Sequence, residues 1–223
     1  MLKTKYKFVF FFLIYVISSF AQDSKKVVAI DSLFREDQFY VSVSYNLVQN
    51  RPAGFKQFSF SQGFTFGFLR DFPLTKNRHW AIAPGFGYNY NNIKQFINSS
   101  DIMIEGSEAV AVSENVRTTI VSHLVDFPLE LRWRNATPES HKFWRIYLGV
   151  KASYVFNAQI KLESSQGNEK RNIRDNLNEW QYGMYLGMGY NTWNPYVYYG
   201  LNPLFKDGSK LSNLNFGFIF YIL

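Results

Sequence analysis

Large apolar side chains alternate with small or polar ones along much of the chain. In 58–68, phenylalanine predominates on one face, while serine, threonine and glycine predominate on the other. The same alternation recurs over 80–90, 144–157, 180–190 and 213–222. Successive residues of an extended strand point to opposite sides of it. Each run therefore predicts a strand with one bulky face and one small face.

Three weaker runs, at 39–47, 118–134 and 196–204, raise the number of predicted strands to eight. In a soluble β-sandwich, the alternative fold, the bulky residues would be buried between two sheets and charged residues would cover the outside. Here the second face instead carries Gly, Ser, Ala and Asn with few charges. Lipid accepts a bulky apolar face, whereas a narrow lumen accepts small or hydrogen-bonded side chains. We therefore predict an all-β protein, an eight-stranded antiparallel up-and-down transmembrane β-barrel.

Connection lengths support the same topology. The connections 48–57, 92–117, 164–178 and 206–210 are on the whole longer than those at 71–78, 135–142 and 191–194. Outer-membrane barrels combine short periplasmic turns with longer external loops. The pattern predicts a location in the cell outer membrane with both termini in the periplasm.

Four of the five tryptophans fall beside the shorter connections, namely Trp80, Trp133, Trp144 and Trp193. Tryptophan is enriched where a barrel meets the membrane–water interface. We expect these four residues to form an interfacial aromatic girdle. The alternative is that they are ordinary core residues beside turns, because aromatic residues also dominate small cores.

The N-terminal segment has the features of a secretory signal peptide. Three lysines in 3–7 precede the apolar run 8–17, which is too short to cross a membrane as a helix, and Ser19 and Ala21 supply small residues before the cut. We predict cleavage after Ala21. The domain organisation is then a signal peptide at 1–21, a short periplasmic segment at 22–38 and the barrel at 39–223.

Composition removes several classes of function. The chain has no cysteine, which excludes disulfides, thiolate zinc sites and a cysteine nucleophile. Its net charge is +7, but without the three lysines of the signal peptide 21 basic residues stand against 17 acidic ones. So small an excess, with no basic cluster interleaved with aromatics, gives little support for nucleic-acid binding.

Charged residues are concentrated on the small face of the fourth and fifth strands. A turn centred near Pro138 sets Asp126 opposite Lys151 and Arg132 opposite Arg145, with Glu130 one diagonal step from Arg145. Buried charges persist when they are paired and hydrogen-bonded. We therefore predict a structural salt-bridge network that fills the lumen. The alternative is that these charges line an ion path, although eight strands leave little room for a channel.

Catalytic patterns are weak. Ser122, His123 and Asp126 could suggest acyl transfer, but on a strand Ser122 and Asp126 share a face from which His123 points away. The three histidines lie on no common metal-binding spacing. We predict no enzymatic activity, no metal, no cofactor and no small-molecule substrate, with a hydrolase or acyltransferase as the less favoured alternative.

Five sequence segments resemble the PorT family of outer-membrane β-barrel proteins from Bacteroidetes, known as SprT in gliding species. They are DSLFREDQFY at 31–40, GFLRDFPL at 67–74, PGFGY at 84–88, HLVDFPLELRWR at 123–134 and FWRIY at 143–147. The resemblance covers essentially the whole mature chain in the same order, and the two longest segments are fairly specific.

This resemblance implies a role in the type IX secretion system, which exports proteins with a C-terminal signal domain and, in gliding species, delivers surface adhesins. It implies no catalytic residues. The expected partners are outer-membrane lipid and other components of the secretion system, and nucleic acid is not expected. The alternative function is a structural or ligand-binding outer-membrane barrel with no part in secretion.

Overall fold

The structure is a computed structural model that describes residues 37–51, 56–57, 60–97, 116–135, 144–164, 167–190, 193–206 and 210–222. The predicted signal peptide and all but the last two residues of the predicted periplasmic segment lie outside the described residues. Within the described ranges, no helix is long and apolar enough to cross a membrane.

Eight strands form the wall of the molecule. They are β1 (Gln38–Gln49), β2 (Gln62–Leu69), β3 (Trp80–Ile97), β4 (Val116–Arg134), β5 (Trp144–Ser164), β6 (Trp180–Tyr190), β7 (Asn194–Gly200) and β8 (Ser212–Ile222). Each strand pairs antiparallel with the next in the chain, and β8 pairs with β1. The sheet is therefore a closed eight-stranded barrel, and the predicted fold class is confirmed.

Side-chain burial follows the alternation of the sequence. On β6 every second side chain is exposed, including Trp180, Tyr182 and Met184, while the intervening positions are buried. On β2 and β8 the outward positions are mostly phenylalanine, as at Phe64 and Phe218. The bulky face is thus the outside of the barrel, as lipid requires, and the small face lines the lumen.

The two ends of the barrel differ in height. We call the end where β1 begins and β8 ends the terminal end, and the opposite end the far end. β3, β4 and β5 have 18, 19 and 21 residues, while the other five strands have 7 to 12. These three strands therefore rise above the rest of the wall at the far end.

Several boundaries differ from those predicted. The predicted loop 164–178 contains a strand, Gly167–Asn172, which pairs with the far part of β5, followed by a 3₁₀ turn at Arg174–Asn176. β7 ends at Gly200, earlier than predicted, and Leu204 folds towards the lumen instead. The predicted connection 71–78 begins with a short strand, Phe72–Pro73, that continues the hairpin with β3.

A β-bulge interrupts the pairing of β4 with β5. Leu124 faces Val155 but His123 faces Asn157, so Phe156 is an extra residue on β5. Because the insertion is on β5, the alternation of β4 is unbroken, whereas beyond the bulge Ala158 and Ile160 become the buried positions of β5. The regular alternation predicted over 144–157 would place Asn157, its last residue, on the lumen face, and the bulge makes this expectation wrong.

Candidate functional site

The charged hairpin of β4 and β5 has a register two residues away from the predicted one. Arg134, not Arg132, lies opposite Arg145, while Arg132 lies opposite Tyr147 and Glu130 opposite Gly149. Glu130 is consequently four positions from the partner of Arg145, and the predicted diagonal contact between them is wrong. A shift of two residues returns every side chain to its own face, so the alternation alone cannot distinguish the two registers.

Asp71 is the carboxylate at the centre of the charged cluster, although the sequence analysis did not select it. Arg134 donates to both of its carboxylate oxygens, with Nη1 3.0 Å from Oδ1 and Nη2 2.8 Å from Oδ2. Arg132 Nη1 donates to Oδ1 at 3.3 Å. All three side chains are fully buried. One carboxylate therefore holds two arginines two positions apart on β4, with the bidentate geometry that arginine favours.

Glu130 is the second carboxylate of this cluster. Its Oε2 accepts a hydrogen bond of 2.8 Å from Arg132 Nε, and its Oε1 accepts from the hydroxyls of Tyr185 at 2.8 Å and Tyr221 at 3.1 Å. The Arg132 guanidinium also lies over the ring of Tyr147, 4.9 Å from its centroid. Glu130 thus joins β4 to β6 and β8 across the lumen.

Arg145 completes the cluster from β5. It is buried, and its guanidinium lies 5.9 Å from the centroid of the Tyr221 ring. At the edge of the cluster, Asp37 Oδ1 accepts a hydrogen bond from the backbone amide of Asp71. Two buried carboxylates, those of Asp71 and Glu130, therefore lie with three guanidinium groups in the terminal end of the lumen, and the partly exposed Asp37 adds a third carboxylate at the edge.

Asp126 and Lys151 form a separate ion pair farther along the lumen. Lys151 Nζ is 2.8 Å from Asp126 Oδ2, although the two residues are diagonal neighbours rather than directly opposite as predicted. Asn89 donates to the same oxygen at 2.9 Å. The ammonium group lies 4.5 Å from the centroid of the Tyr198 ring. The five predicted network residues thus divide between two clusters.

Inward-facing tyrosines occupy the space above glycines. A Cβ atom added to Gly149 would overlap the ring of Tyr185, and one added to Gly183 would overlap the ring of Tyr198. Tyr40 lies in the same way against Gly87. The glycines on the small face therefore leave room for rings from the adjacent strand or the next but one, and these rings fill the lumen.

The far end of the lumen has a different lining. Its buried residues include one apolar cluster, to which strands β1, β3, β4 and β5 and the segments after β5 and β7 contribute. The members are Val48, Ile93, Ile120, Leu124, Val155, Ala158, Ile160, Ile173, Leu177, Leu204 and Leu211. The lumen is therefore packed at the far end with apolar side chains among buried amide and hydroxyl groups, such as those of Asn46, Asn91 and Ser122, and at the terminal end with charged and tyrosine side chains.

The four predicted girdle tryptophans are on the outside of the barrel at its terminal end. Trp80 faces Trp133 across β3 and β4, Trp144 faces Tyr190, and Trp193 packs against Phe218 at a centroid distance of 5.7 Å. Trp193 and Trp144 are 64% and 58% exposed, so they are not core residues. Trp133 faces Ile146 on β5, whereas a turn centred near Pro138 would have set it opposite Trp144, so this pairing is wrong by the same two residues as the charged pairs.

Ser122, His123 and Asp126 do not come together. Ser122 and Asp126 are buried on the lumen side, whereas His123 points outward, where its Nδ1 lies 2.6 Å from the hydroxyl of Tyr88. The bulge of the hairpin falls on β5 and leaves this separation unchanged. The three side chains cannot act as an acyl-transfer triad in this arrangement, since the base does not reach the nucleophile.

Two charged residues of the cluster that were not predicted as part of it follow the alternation of inward and outward positions. Asp71 has the same parity as the lumen-facing positions of β2, and Arg134 has the same parity as Glu130 and Arg132. Arg134 is the last residue of the predicted run 118–134 and Asp71 lies three residues beyond the run 58–68, so continuing the alternation to these positions would have identified both as lumen residues. The tyrosines on β6 and β8 needed the strand order and tilt of the closed barrel as well.

No curated protein matches the chain. Among solved structures, the crystal structure of Ail, the attachment invasion locus protein of Yersinia pestis, is similar with 12% identity and a TM-score of 0.42, covering 84% of this chain and all of that one. The structure of Ail in a phospholipid nanodisc has 13% identity and a TM-score of 0.34 at the same coverage. The family model for the outer membrane protein β-barrel domain matches residues 20–206, well over half of the sequence, and the chain therefore belongs to this family of outer-membrane proteins.

Proposed function

We propose that this outer-membrane barrel is a non-enzymatic, non-conducting component required for protein export by the type IX secretion system and, where it occurs, for gliding motility. The observation that carries the non-conducting part is the packing of the lumen. Charged and tyrosine side chains fill its terminal end, and an apolar cluster together with buried amide and hydroxyl side chains fills its far end. A polypeptide therefore passes elsewhere, and the barrel acts through its outer wall, its rims and its loops.

The link to secretion rests on the sequence segments that resemble the PorT family. Three of them, at 67–74, 123–134 and 143–147, contribute Asp71, Glu130, Arg132, Arg134 and Arg145. These are the fully or almost fully buried charged residues of the cluster in the terminal end of the lumen. The resemblance therefore includes the residues that form the buried ion pairs of the lumen. A shared alternation of bulky and small residues would not require these charges, so their presence supports a relationship with that family.

We further propose that the terminal end faces the periplasm and that Trp80, Trp133, Trp144 and Trp193 form the girdle at that interface. A second outward row, which includes Tyr90 and His123, crosses the same strands nearer the far end. Ten residues of β4 separate Trp133 from His123, which at the usual rise and tilt is about 25 Å along the barrel axis. This spacing matches the apolar band of outer-membrane barrels.

A deletion strain of the source bacterium tests the secretion role. We expect proteins with a C-terminal signal domain to accumulate in its periplasm and to return to the surface when the wild-type gene is restored. A periplasmic protein without that domain and an unrelated outer-membrane barrel serve as controls, and both should be unchanged. An intact surface proteome in the deletion strain would refute the proposal and favour a structural or ligand-binding barrel, for which family membership suffices.

Two further measurements test the rest of the proposal. Protein reconstituted in planar bilayers should give no stable conductance, and steady single-channel currents would favour an ion path along the lumen charges. External protease applied to intact cells should cut the connection 98–115 and spare the connection 136–143. The opposite pattern would reverse the proposed orientation.

A further inference from the structure

A row of three lysines crosses the outer face of the tall wall at the far end. Lys94 on β3 faces Thr119 on β4, Thr119 faces Lys161 on β5, and Lys161 faces Lys170 on the strand Gly167–Asn172. The neighbouring residues Ile93, Ile120 and Ile160 are buried in the lumen cluster, so the lysines are on the opposite, outward face. We call Lys94, Thr119, Lys161 and Lys170 the lysine row.

Among the described residues, no carboxylate offsets the positive charge of the lysine row. Lys170 is exposed, and Lys94 and Lys161 are partly exposed. Within the part of the chain that the structure describes, none of the three forms an ion pair with a carboxylate. In the next row outward, Arg117 faces Glu163, which places charges of both signs there. Of these two rows, as far as the structure describes them, the lysine row therefore carries the excess of positive charge.

The height of the lysine row on the wall indicates which molecule it meets. Fourteen residues of β4 separate Trp133 from Thr119, or about 35 Å along the axis at the usual strand rise and tilt. The row therefore lies about 10 Å beyond the apolar band, which is the depth of lipid headgroups. Between them lie polar side chains on the same face, among them Gln159 and Asn172. Towards the far end, the outward-facing side chains of the wall thus change from aromatic to amide and then to lysine.

We propose that the lysine row binds the phosphate groups of a phosphorylated glycolipid in the outer leaflet, of the lipid A type. Ammonium groups bind phosphate oxygens through charge-assisted hydrogen bonds, and the Thr119 hydroxyl adds a donor between two of them. Three interstrand spacings separate Lys94 from Lys170, about 14 Å. A sugar headgroup with a phosphate at each end spans such a row, whereas the single phosphate of a glycerophospholipid reaches one or two of its members.

Native mass spectrometry of the purified full-length mature protein in detergent tests this site. The probes are lipid A with two phosphates, the same lipid A after enzymatic dephosphorylation, and phosphatidylglycerol. We expect the bisphosphorylated lipid to bind most tightly and its affinity to fall with added salt, because the contact is exposed. Dephosphorylated lipid A or phosphatidylglycerol binding as tightly as the bisphosphorylated form would overturn the proposal.

The decisive variant is Lys94→Gln/Lys161→Gln/Lys170→Gln. We expect about fivefold weaker binding of lipid A for each lysine removed, and about a hundredfold for all three. The matched control, Lys76→Gln/Lys206→Gln/Lys210→Gln, removes the same charge from outside the row and should bind as the wild type does. Equal affinity of the row variant and the wild type, or an equal loss in the control, would refute the site.

Heat-modifiable migration on gels shows whether each variant has folded. If the triple variant does not assemble, the single variant Lys170→Gln, at an exposed position, replaces it in the binding measurement. Its expected loss is about fivefold. Lipid in a micelle reaches both ends of the barrel and no secretion machinery is present. A failure of lipid binding is therefore distinct from a failure of the proposed role in export or of the proposed orientation.

Discussion

Leu124 and Glu130 point into the same lumen from the same strand, six residues apart, and both are almost completely buried. Leu124 belongs to the apolar cluster of the far end, where it needs no specific polar partner. Glu130 instead has three specific partners, one guanidinium and two phenol hydroxyls. Side chains at the two ends of the lumen are thus buried to the same degree, but those at the terminal end depend on specific polar partners.

This difference concerns what each end of the lumen tolerates. An apolar cluster needs matching volume, and a conservative change of shape costs little. A buried charge needs its partner, because a group that remains desolvated without one loses far more than the contact contributed. The terminal end should therefore be sensitive to chemistry, and the far end to volume.

The largest effect is expected for Glu130→Ala. It leaves Arg132 with one carboxylate fewer and deprives the hydroxyls of Tyr185 and Tyr221 of their acceptor. Removing one member of a buried network typically costs about 3 to 5 kcal/mol. Urea unfolding of the protein refolded in lipid vesicles should show a loss of that size, with less assembled barrel in cells and export reduced in proportion.

The double variant Glu130→Gln/Arg132→Met separates charge from position. It removes one charge of each sign and leaves the bidentate pair of Arg134 with Asp71 intact. It should recover much of the stability that Glu130→Ala loses, since no additional charge is left unpaired. Normal assembly of Glu130→Ala with abolished export would show instead that Glu130 belongs to a working site.

The fit of tyrosine over glycine should give the next largest effect. A Cβ at Gly149 overlaps the Tyr185 ring, whereas a Cβ at Gly187 meets only Tyr196 Cβ at 3.7 Å and Pro195 O at 4.0 Å. Overpacking a filled interior typically costs about 1 to 3 kcal/mol. Gly149→Ala should therefore lower the free energy of unfolding in vesicles by that amount, and the matched Gly187→Ala should not. Equal losses would mean that backbone freedom, not space, explains these glycines.

A conservative change at the far end should cost less. Leu124→Met keeps the volume and apolar character of a cluster residue, and such swaps usually cost less than about 1.5 kcal/mol. Glu130→Gln also keeps volume but changes charge, and it should destabilise the barrel more. Chemical unfolding of both variants under the same conditions measures the contrast, and a larger loss for Leu124→Met would reverse the proposed division of the lumen.

The sequence was sufficient for the barrel, its strand number and its two faces, because a closed wall between lipid and a packed lumen imposes strict alternation. It was insufficient for register, since pairings two residues apart have the same faces, as the arginine opposite Arg145 illustrates. The bulge at Phe156 could not be predicted either, because it exchanges the inward and outward positions of β5 only in the residues that follow it. The partners of Glu130 come from β6 and β8, and only the closed geometry brings them together.

The smallest effect is expected for an exposed ion pair on the tall wall. Arg171 Nε lies 2.7 Å from Glu169 Oε1, a distance as short as those in the lumen, but both side chains are open to solvent. The hydrogen bond from Arg171 holds the pKa of the Glu169 carboxyl below its usual value. A lowered folded-state pKa means that any stabilisation by this pair is present above the usual glutamate pKa and is lost as the pH falls through the lowered pKa.

Water competes for exposed charges, so Glu169→Gln should leave the unfolding midpoint in vesicles unchanged at neutral pH. In Arg171→Gln, the pKa of Glu169 followed by NMR should move upward. A destabilisation by Glu169→Gln as large as that of Glu130→Gln would show that distance, not burial, decides the contribution of a charge pair in this barrel.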